Sequence, residues 1–251
     1  MCTLIVFHRV FDDAPLALAV NRDEEYARPS APPGWWEERD PPLLAPRDER
    51  GGGTWMGANP HGVWVGVTNR HAGEVDPGRR SRGLLCLDLL EVASAERAVH
   101  RIASLERPYN PFHLVSGDGK EAWLVEYEGG EADARRLGEG VHVITNRPPK
   151  EAEEEPKAKR AWALLGEAGL WPLPLGGAAP PDLEERLGAI LADHGREGAD
   201  AICLHGGRYG TRSAAVWRIR PPEGDEEAGI RLEFADGPPC TARFETVYGV
   251  E

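Results

Sequence analysis

The order of the predicted elements is the feature that most constrains the fold. Short strands joined by turn signals are interspersed with three stretches that carry apolar residues at helical spacing. Nothing repeats as strand–helix–strand, and the glycine-rich phosphate loops GxGxxG and GxxxxGK[ST] are absent. This order is typical of a mixed sheet protein with helices packed on sheet faces. We therefore predict one α+β domain over residues 1–251 that is not a nucleotide-binding fold.

The element boundaries follow from turn residues and periodicity. Strands are predicted at Thr3–Val10, Leu16–Val20, Thr54–Met56, Gly62–Thr68, Phe112–Ser116, Ala122–Tyr127, Val141–Thr145, Ala201–His205, Ala214–Arg220, Ile230–Phe234 and Ala242–Val247. Helices are predicted at Leu84–Ala103, Lys157–Gly169 and Leu183–His194. The proline-rich stretch from Arg28 to Arg50 is predicted to be a long surface loop. Trp35 and Trp36 within it are candidate substrate-binding residues, or one of them belongs to the core.

The net charge and the composition limit the classes of binding partner that we expect. The formal net charge is −13 at pH 7, and an acidic surface repels phosphate backbones and anionic lipids. We therefore expect no nucleic-acid or membrane partner, and a small molecule instead. No apolar run has the length of a membrane span, and the apolar residues after Met1 end too early for a signal peptide, so the expected location is the cytoplasm. The absence of glutamine suggests a thermophilic source.

The cysteines and histidines give no metal signature. Cys2, Cys86, Cys203 and Cys240 form no CxxC pair, which argues against zinc and redox motifs. The eight histidines form no HExxH motif and are expected to have structural roles. We therefore expect no metal and no cofactor, and free thiols in a reducing compartment.

Three predicted strands end in the same dipeptide. Asn21-Arg22, Asn69-Arg70 and Asn146-Arg147 contain three of only five asparagines in the chain. Asparagine suits strand-end turns, but three such sites in a chain that avoids amide side chains favour a shared function. An amide N–H is a directional donor suited to an oxyanion at an attacked carbonyl.

The first predicted hairpin brings the first thiol to a charged strand end. A turn centred between Asp12 and Asp13 places Cys2 opposite Asp23, and a shift by one residue places it opposite Glu25. Either register sets a thiol, a carboxylate and Arg22 at one chain end.

These residues carry a family resemblance. Met1-Cys2-Thr3 with Asn21-Arg22-Asp23-Glu24 resembles the NRDE family, the transport-and-Golgi-organisation type. Further segments resemble the hallmarks of that family: Arg47 to Gly57, Ser81-Arg82-Gly83, Tyr109-Asn110-Pro111-Phe112 and Tyr209-Gly210-Thr211-Arg212-Ser213. These matches span nearly the whole chain in order.

A wider resemblance is to cysteine N-terminal-nucleophile hydrolases such as penicillin V acylase and bile salt hydrolase. It implies a four-layer αββα sandwich. It also implies catalytic roles for Cys2 as nucleophile, Asp23 as the aspartate that orients the amine, Asn69 as oxyanion donor, Asn146 as a second positioning asparagine, and Arg212. In those hydrolases an arginine precedes the aspartate by three residues, where this chain has Val20. Arg22 is a candidate substrate-binding replacement, although strand alternation points it away from Asp23.

Two functions follow as hypotheses. The first is an amidohydrolase that cleaves a carbon–nitrogen bond of a small N-acyl compound, with Cys2 as nucleophile once Met1 is removed. The free amine, with a reference pKa of about 7.7–8.0, would act as base, and Arg22 or Arg212 would favour the thiolate. The second is a non-catalytic carrier or trafficking factor, for lipid or haem, that retains the fold.

Overall fold

The computed structural model describes residues 2–70, 75–105, 108–147, 155–195, 198, 200–224 and 226–250. The strands are β1 (Thr3–His8), β2 (Leu16–Glu25), β3 (Ser30–Trp36), β4 (Leu43–Asp48), β5 (Met56–Ala58), β6 (Trp64–Asn69), β7 (Phe112–Gly117), β8 (Ala122–Tyr127), β9 (Ala132–Leu137), β10 (Gly140–Ile144), β11 (Tyr209–Arg220), β12 (Gly229–Ala235) and β13 (Glu245–Val250). The helices are α1 (Arg82–Leu90), α2 (Ala95–Ala103), α3 (Pro156–Glu167) and α4 (Leu183–Leu191).

The chain divides into two compact units that are interleaved in sequence. Unit 1 comprises Met1–Ala27, Glu139–Ile219 and Ile230–Glu251. Unit 2 comprises Arg28–Gly138 and Arg220–Gly229. The expectation of one domain over the whole chain stays a prediction.

Unit 1 is built on a six-stranded sheet in the order β10-β1-β2-β11-β12-β13. The pairs β1–β10, β1–β2, β2–β11 and β12–β13 are antiparallel. Ile5, Phe7, Ala17 and Ala19 pack with residues of α3 and α4 in one apolar cluster. One face of this sheet is therefore covered by two helices, as expected for amphipathic helices that need an apolar surface to cover.

Unit 2 is built on a seven-stranded antiparallel sheet in chain order, from β3 to β9. Its core cluster combines Trp36, Val65 and Leu114 with the buried leucines of α1 and the apolar side of α2. Among the described residues of both units, no helix is long and apolar enough to cross a bilayer.

The predicted helix Leu84–Ala103 is two helices. The Ser94 hydroxyl accepts from the Arg97 amide and caps α2, and Asp118 Oδ2 accepts from the Ala95 amide at 2.9 Å. The Asn59 side chain donates to the Leu90 and Val92 carbonyls at 2.6 and 2.8 Å. These partners satisfy the polar groups that a helix end exposes, so the chain can break there although its apolar periodicity continues.

Three further predictions are wrong. The stretch Arg28 to Arg50 contains the paired strands β3 and β4 instead of a structureless loop. Ala201–His205 is not a strand, and only His205 forms an isolated bridge, to Gly210. Strand β2 continues to Glu25, five residues beyond its predicted end at Val20. The predicted fold class itself, α+β with antiparallel sheets, is confirmed.

Candidate active site

The register of the first hairpin differs by one residue from the prediction. Thr3 lies opposite Asn21 and His8 opposite Leu16, so the connection is the odd-numbered loop 9–15, closed by a hydrogen bond from the Arg9 amide to the Pro15 carbonyl. Asp12 and Asp13 do not form a tight turn. Their carboxylates accept from the amides of Gly177 and Ala179, at 2.8 and 2.7 Å, and these distant partners set the loop.

Cys2 is half-buried at the start of β1 and lies where the strand ends converge. Its Sγ–H donates to the Asp23 carbonyl at 3.9 Å. The β1–β2 register, extended by one residue, sets Arg22 opposite Cys2. Asn146 lies two residues beyond the end of β10, whose last pair with β1 is Ile144 with Leu4. Opposed residues of an antiparallel pair point to the same sheet face, so Arg22 shares a face with Cys2 and points away from Asp23.

The Asp23 carboxylate lies on the helix-covered face and is held by two side chains. Lys157 Nζ donates to Asp23 Oδ2 at 3.1 Å, and both side chains are fully buried. The Thr211 hydroxyl donates to Asp23 Oδ1 at 2.6 Å. The Asp23 carboxylate is therefore a fixed, charge-compensated acceptor, and the backbone carbonyl of the same residue contacts the chain's first thiol.

A β-bulge places the neighbouring arginine. The β2–β11 register shifts between Thr211 and Ser213, so that Thr211 faces Asp23 while Ser213 faces Arg22. Arg212 is the extra residue, and bulges re-aim side chains in this way. Its Nη1 lies 4.0 Å from Asp236 Oδ1. Arg212 is thus in unit 1, with its guanidinium directed to a carboxylate of the β12 end.

Burial raises the pKa of the Cys2 thiol above its ordinary value, and the negative charge of Asp23 adds to this effect. Lys157 opposes it, with a smaller effect than either. The expectation that the thiol is shifted toward thiolate is wrong, because the net effect of these surroundings is a raised pKa. The thiol is therefore protonated at neutral pH in this state, and it needs a base to become a nucleophile.

Tyr209 completes the surroundings of Cys2. Its hydroxyl donates to the Asp23 carbonyl at 2.6 Å, the same carbonyl that accepts from Cys2. Burial, then the charges of Cys2 and Asp23, raise the pKa of Tyr209, so its hydroxyl stays a neutral donor.

The predicted site residues are distributed over both units. Cys2, Arg22, Asp23, Asn146 and Arg212 belong to unit 1. Asn69 ends β6 of unit 2, and its placement beside Cys2 stays a prediction. Trp35 is half-buried in unit 2. Trp36 lies in the core of that unit, where its Nε1 donates to the Ala45 carbonyl at 2.9 Å, which is the alternative role foreseen for one tryptophan.

Asn21 does not share the chemical role proposed for the three strand-end asparagines. It lies inside β2, and its amide donates to the carbonyls of Leu191 and Ile202 at 2.8 and 3.0 Å. Asn21 is therefore a structural cross-link between the sheet and the end of α4. Removal of Met1, on which a free Cys2 amine depends, concerns a residue outside the described range.

Sequence reasoning missed Lys157 and Tyr209. Tyr209 lies in a segment already matched to the family, so a signal was available. Lys157 is the second residue of a helix and gave no signal, because nothing near it in sequence indicates burial. Glu155 is also buried and accepts from the Thr145 hydroxyl. One group of metal-ligating side chains among the described residues, at His194, Cys203, His205 and Cys240, also escaped the spacing rules.

The family of the chain follows from its similarity to known protein families. The family described as Transport and Golgi organisation 2 matches residues 1–171. The chain belongs to this family. It is 32% identical over 160 residues to the human Transport and Golgi organization protein 2 homolog and 30% identical to the bovine one. Each match covers 58% of this chain and 57% of the relative, so the chain spans little more than half the length of these relatives.

Solved structures show the fold. A Caenorhabditis elegans ortholog of N-acylethanolamine-hydrolyzing acid amidase matches with a TM-score of 0.58 and 14% identity, over 90% of this chain and 95% of its own. Penicillin V acylase from Agrobacterium tumefaciens matches with a TM-score of 0.57 and 13% identity, over 100% and 99%. The chain therefore has the N-terminal-nucleophile hydrolase fold implied by the sequence resemblance. At these identities the likeness concerns the fold alone.

Proposed function

We propose that this protein is an amidohydrolase that cleaves the carbon–nitrogen bond of a small N-acyl compound, with Cys2 as an N-terminal nucleophile after removal of Met1. The observation that carries the proposal is the position of Cys2. It is half-buried at the start of β1, with Sγ 3.9 Å from the carbonyl of an aspartate whose carboxylate is held by buried partners. The fold, shared with two amide-cleaving hydrolases, supports it.

The raised pKa of Cys2 defines how the reaction would start. A protonated thiol is a poor nucleophile. The α-amine of Cys2, with a reference pKa of about 7.7–8.0, would take the thiol proton as sulfur attacks the acyl carbon. The C–N bond then breaks, the leaving amine receives that proton, and the acyl group remains as a thioester on Cys2. Water attacks the thioester with the amine again as base, and the carboxylic acid and the free thiol are released.

The surrounding residues take roles that fit this sequence of steps. Asp23 would accept from the α-ammonium and orient it, and Lys157 would hold Asp23 ionised in its buried position. Asn69 would donate to the oxyanion, and Asn146, just beyond the end of β10, would position the amine or the substrate. Arg22, on the Cys2 face of the sheet, Arg212 and Trp35 would bind the remainder of the substrate.

Lys157 supplies a positive charge to Asp23 that the sequence did not indicate. The resembling hydrolases carry an arginine three residues before the aspartate, and Val20 occupies that position here. Val20 and Arg22 both alternate with Asp23 along β2, so both point to the opposite face of the sheet. The ε-ammonium of Lys157 contacts the Asp23 carboxylate from α3. We propose that Lys157 holds the aspartate while Arg22, on the Cys2 face, takes the place of the strand arginine.

A second candidate is a carrier that retains the fold. The relatives of the chain are named for transport and Golgi organization. The raised pKa of the Cys2 thiol is compatible with a cysteine that takes no part in catalysis. A carrier would release its bound compounds chemically unmodified, and substitution of Cys2 would have no effect on binding.

Intact-protein mass spectrometry distinguishes the two functions. The protein, produced without an N-terminal tag, is incubated with penicillin V, an N-acylethanolamine and N-acyl amino acids, and then quenched in acid. The amidohydrolase proposal predicts a chain that starts at Cys2 and a mass increase equal to the acyl group, located on the Cys2 peptide. Hydrolysis by a chain that retains Met1 would contradict the proposed mechanism. Non-covalent binding of a compound without acylation or turnover would favour the carrier.

A further inference from the structure

Four side chains from three segments of unit 1 converge at its surface. His194 follows α4, Cys203 and His205 lie in the loop before β11, and Cys240 lies in the turn between β12 and β13. One ligand atom of each lies within 4.8 Å of one ligand atom of every other. Their sequence spacing follows no zinc motif, which is why the sequence predicted no metal.

We propose that His194, Cys203, His205 and Cys240 form a structural zinc site. The two sulfurs lie 3.7 Å apart, and Cys203 Sγ lies 3.6 Å from His205 Nε2. Tetrahedral zinc, with bonds of about 2.3 Å to sulfur and 2.0–2.1 Å to nitrogen, separates two sulfurs by about 3.8 Å and a sulfur from a nitrogen by about 3.6 Å. His205 Nε2 lies somewhat closer to Cys240 Sγ, at 3.1 Å. The ligand atom of His194 lies within 4.8 Å of each of the other three.

The donor set selects the metal. Two thiols and two imidazoles, with no carboxylate, suit zinc and exclude the oxygen-preferring Mg²⁺ and Ca²⁺. Two thiolates would also neutralise a divalent ion, so the complete site carries no net charge. All four positions of a tetrahedron are taken by protein side chains, which is typical of a structural zinc site and not of a catalytic one.

Backbone hydrogen bonds hold two of the segments that carry the cluster close together. The Asp193 carbonyl accepts from the amides of Ile202 and Cys203 at 3.0 and 2.8 Å. These hydrogen bonds join the loop before β11 to the residues that follow α4. The His194 ring packs edge-on to the His205 ring, with centroids 5.1 Å apart. His194 and His205 are exposed, so core packing does not account for their convergence on two cysteines.

The site also supports the region around Asp23. Leu204, between the ligands Cys203 and His205, donates its amide to the Thr211 hydroxyl at 2.8 Å and accepts from the Thr211 amide at 2.9 Å. That hydroxyl holds the Asp23 carboxylate. A metal ion would therefore rigidify the loop that positions Thr211, whatever reaction the protein performs.

Metal analysis tests the site independently of any activity. We expect the untagged protein, purified without chelator, to contain one zinc ion per chain by plasma mass spectrometry. The double variant C203S/C240S should contain only background zinc, and the matched control Cys86→Ala, which removes a thiol outside the cluster, should keep the full amount. Removal of zinc with a chelator should lower Tm, and Zn²⁺ but not Mg²⁺ should restore it.

A second variant covers the case in which C203S/C240S does not fold. His205→Ala changes an exposed side chain and should fold, yet bind Co²⁺ without the visible absorption of tetrahedral cobalt that the wild-type protein shows. Wild-type protein that folds without zinc and gives no tetrahedral cobalt spectrum would overturn the proposal. Alkylation of the denatured protein that finds Cys203 and Cys240 joined in a disulfide would overturn it as well.

Discussion

At the scale of single residues, the ion pair of Asp23 and Lys157 is the most consequential contact that the sequence did not indicate. Both side chains are fully buried, and desolvating two charges is offset only when each has good partners. Asp23 has the ammonium and the Thr211 hydroxyl. The pair fixes the position of the aspartate that the proposed mechanism uses, more than it adds stability over an apolar pair of equal volume.

Removing one partner of this pair should be costly. We expect Lys157→Met to lower the free energy of unfolding by about 3–5 kcal/mol, because it removes one charged partner of a buried carboxylate. The double variant D23N/K157M should lose less stability than the sum of the losses caused by Asp23→Asn and Lys157→Met alone. Urea denaturation measures all three. Lys159→Met, on the exposed side of the same helix, is the control and should change stability little; a Lys157→Met variant as stable as this control would contradict the account.

The raised pKa of Cys2 predicts its reactivity with pH. Burial and the Asp23 charge keep the thiol protonated, so alkylation by iodoacetamide should be slower at pH 8 than for a free cysteine and should still increase above pH 9. Asp23→Asn removes one of these causes and should accelerate alkylation at pH 8. Peptide-level mass spectrometry follows the rate. A Cys2 rate that is already constant below pH 8 would show a lowered pKa instead.

At the scale of elements, Asn59 joins the hairpin β5–β6 to the end of α1. Its amide donates to the carbonyls of Leu90 and Val92, and its Oδ1 accepts from the amides of His61 and Val63 at 3.0 and 3.1 Å. All of these groups lie in unit 2. The side chain thereby satisfies the backbone groups of two elements that neither could satisfy alone.

Truncation of Asn59 should destabilise the protein more than its size suggests. We expect Asn59→Ala to lower the free energy of unfolding by about 3 kcal/mol, the upper end of the cost of leaving a buried polar partner unsatisfied. Thermal or urea denaturation measures it. The control is His61→Ala in the same turn, whose side chain is exposed and should contribute little. Equal stabilities of the two variants would show that the hydrogen bonds of Asn59 are replaced by water.

Local pattern predicted most elements and failed where distant partners decide. The hairpin β7–β8, strand β6 and the helices α3 and α4 follow from turn residues and periodicity, whereas β5, at Met56–Ala58, is displaced by two residues from the predicted strand Thr54–Met56. Strand β3 was missed because it contains Pro32 and Pro33, which argue against a strand. It is an edge strand with a register shift between Ala31 and Gly34, a place where proline is tolerated.

The same limit applies to the candidate site. Cys2, Asp23, Asn146 and Arg212 were accessible from motifs, and the structure places them in one unit. Lys157 was not accessible, because its partner lies 134 residues away. The predicted β1–β2 hairpin places Cys2 near the residues that surround it in the structure, but the predicted register is wrong by one residue. The conformation of the loop 9–15 is set by hydrogen bonds from Gly177 and Ala179, and not by its own turn residues.

At the scale of the whole molecule, some of the segments that match the family stabilise the fold, and others form the candidate site. Asp48 accepts from Arg28 at 2.5 Å and from the amides of Arg50 and Gly51, and Ser81 caps α1. A side chain on Gly53 would meet the backbone of Gly83 at 2.3 Å, so these two segments pack backbone to backbone. These unit 2 segments hold the fold, whereas those containing Cys2, Asp23 and Thr211 form the candidate site.

The central claim is that Cys2 is the nucleophile of an amide-cleaving reaction. The most direct test compares wild type with Cys2→Ser for the N-acyl compound that acylates the wild-type protein, with turnover and binding measured side by side. We expect turnover to fall by roughly three orders of magnitude or more, as when a covalent nucleophile is removed, while the Kd stays unchanged because the substitution only exchanges one sulfur atom for oxygen. Equal turnover in Cys2→Ser and wild type would contradict the account.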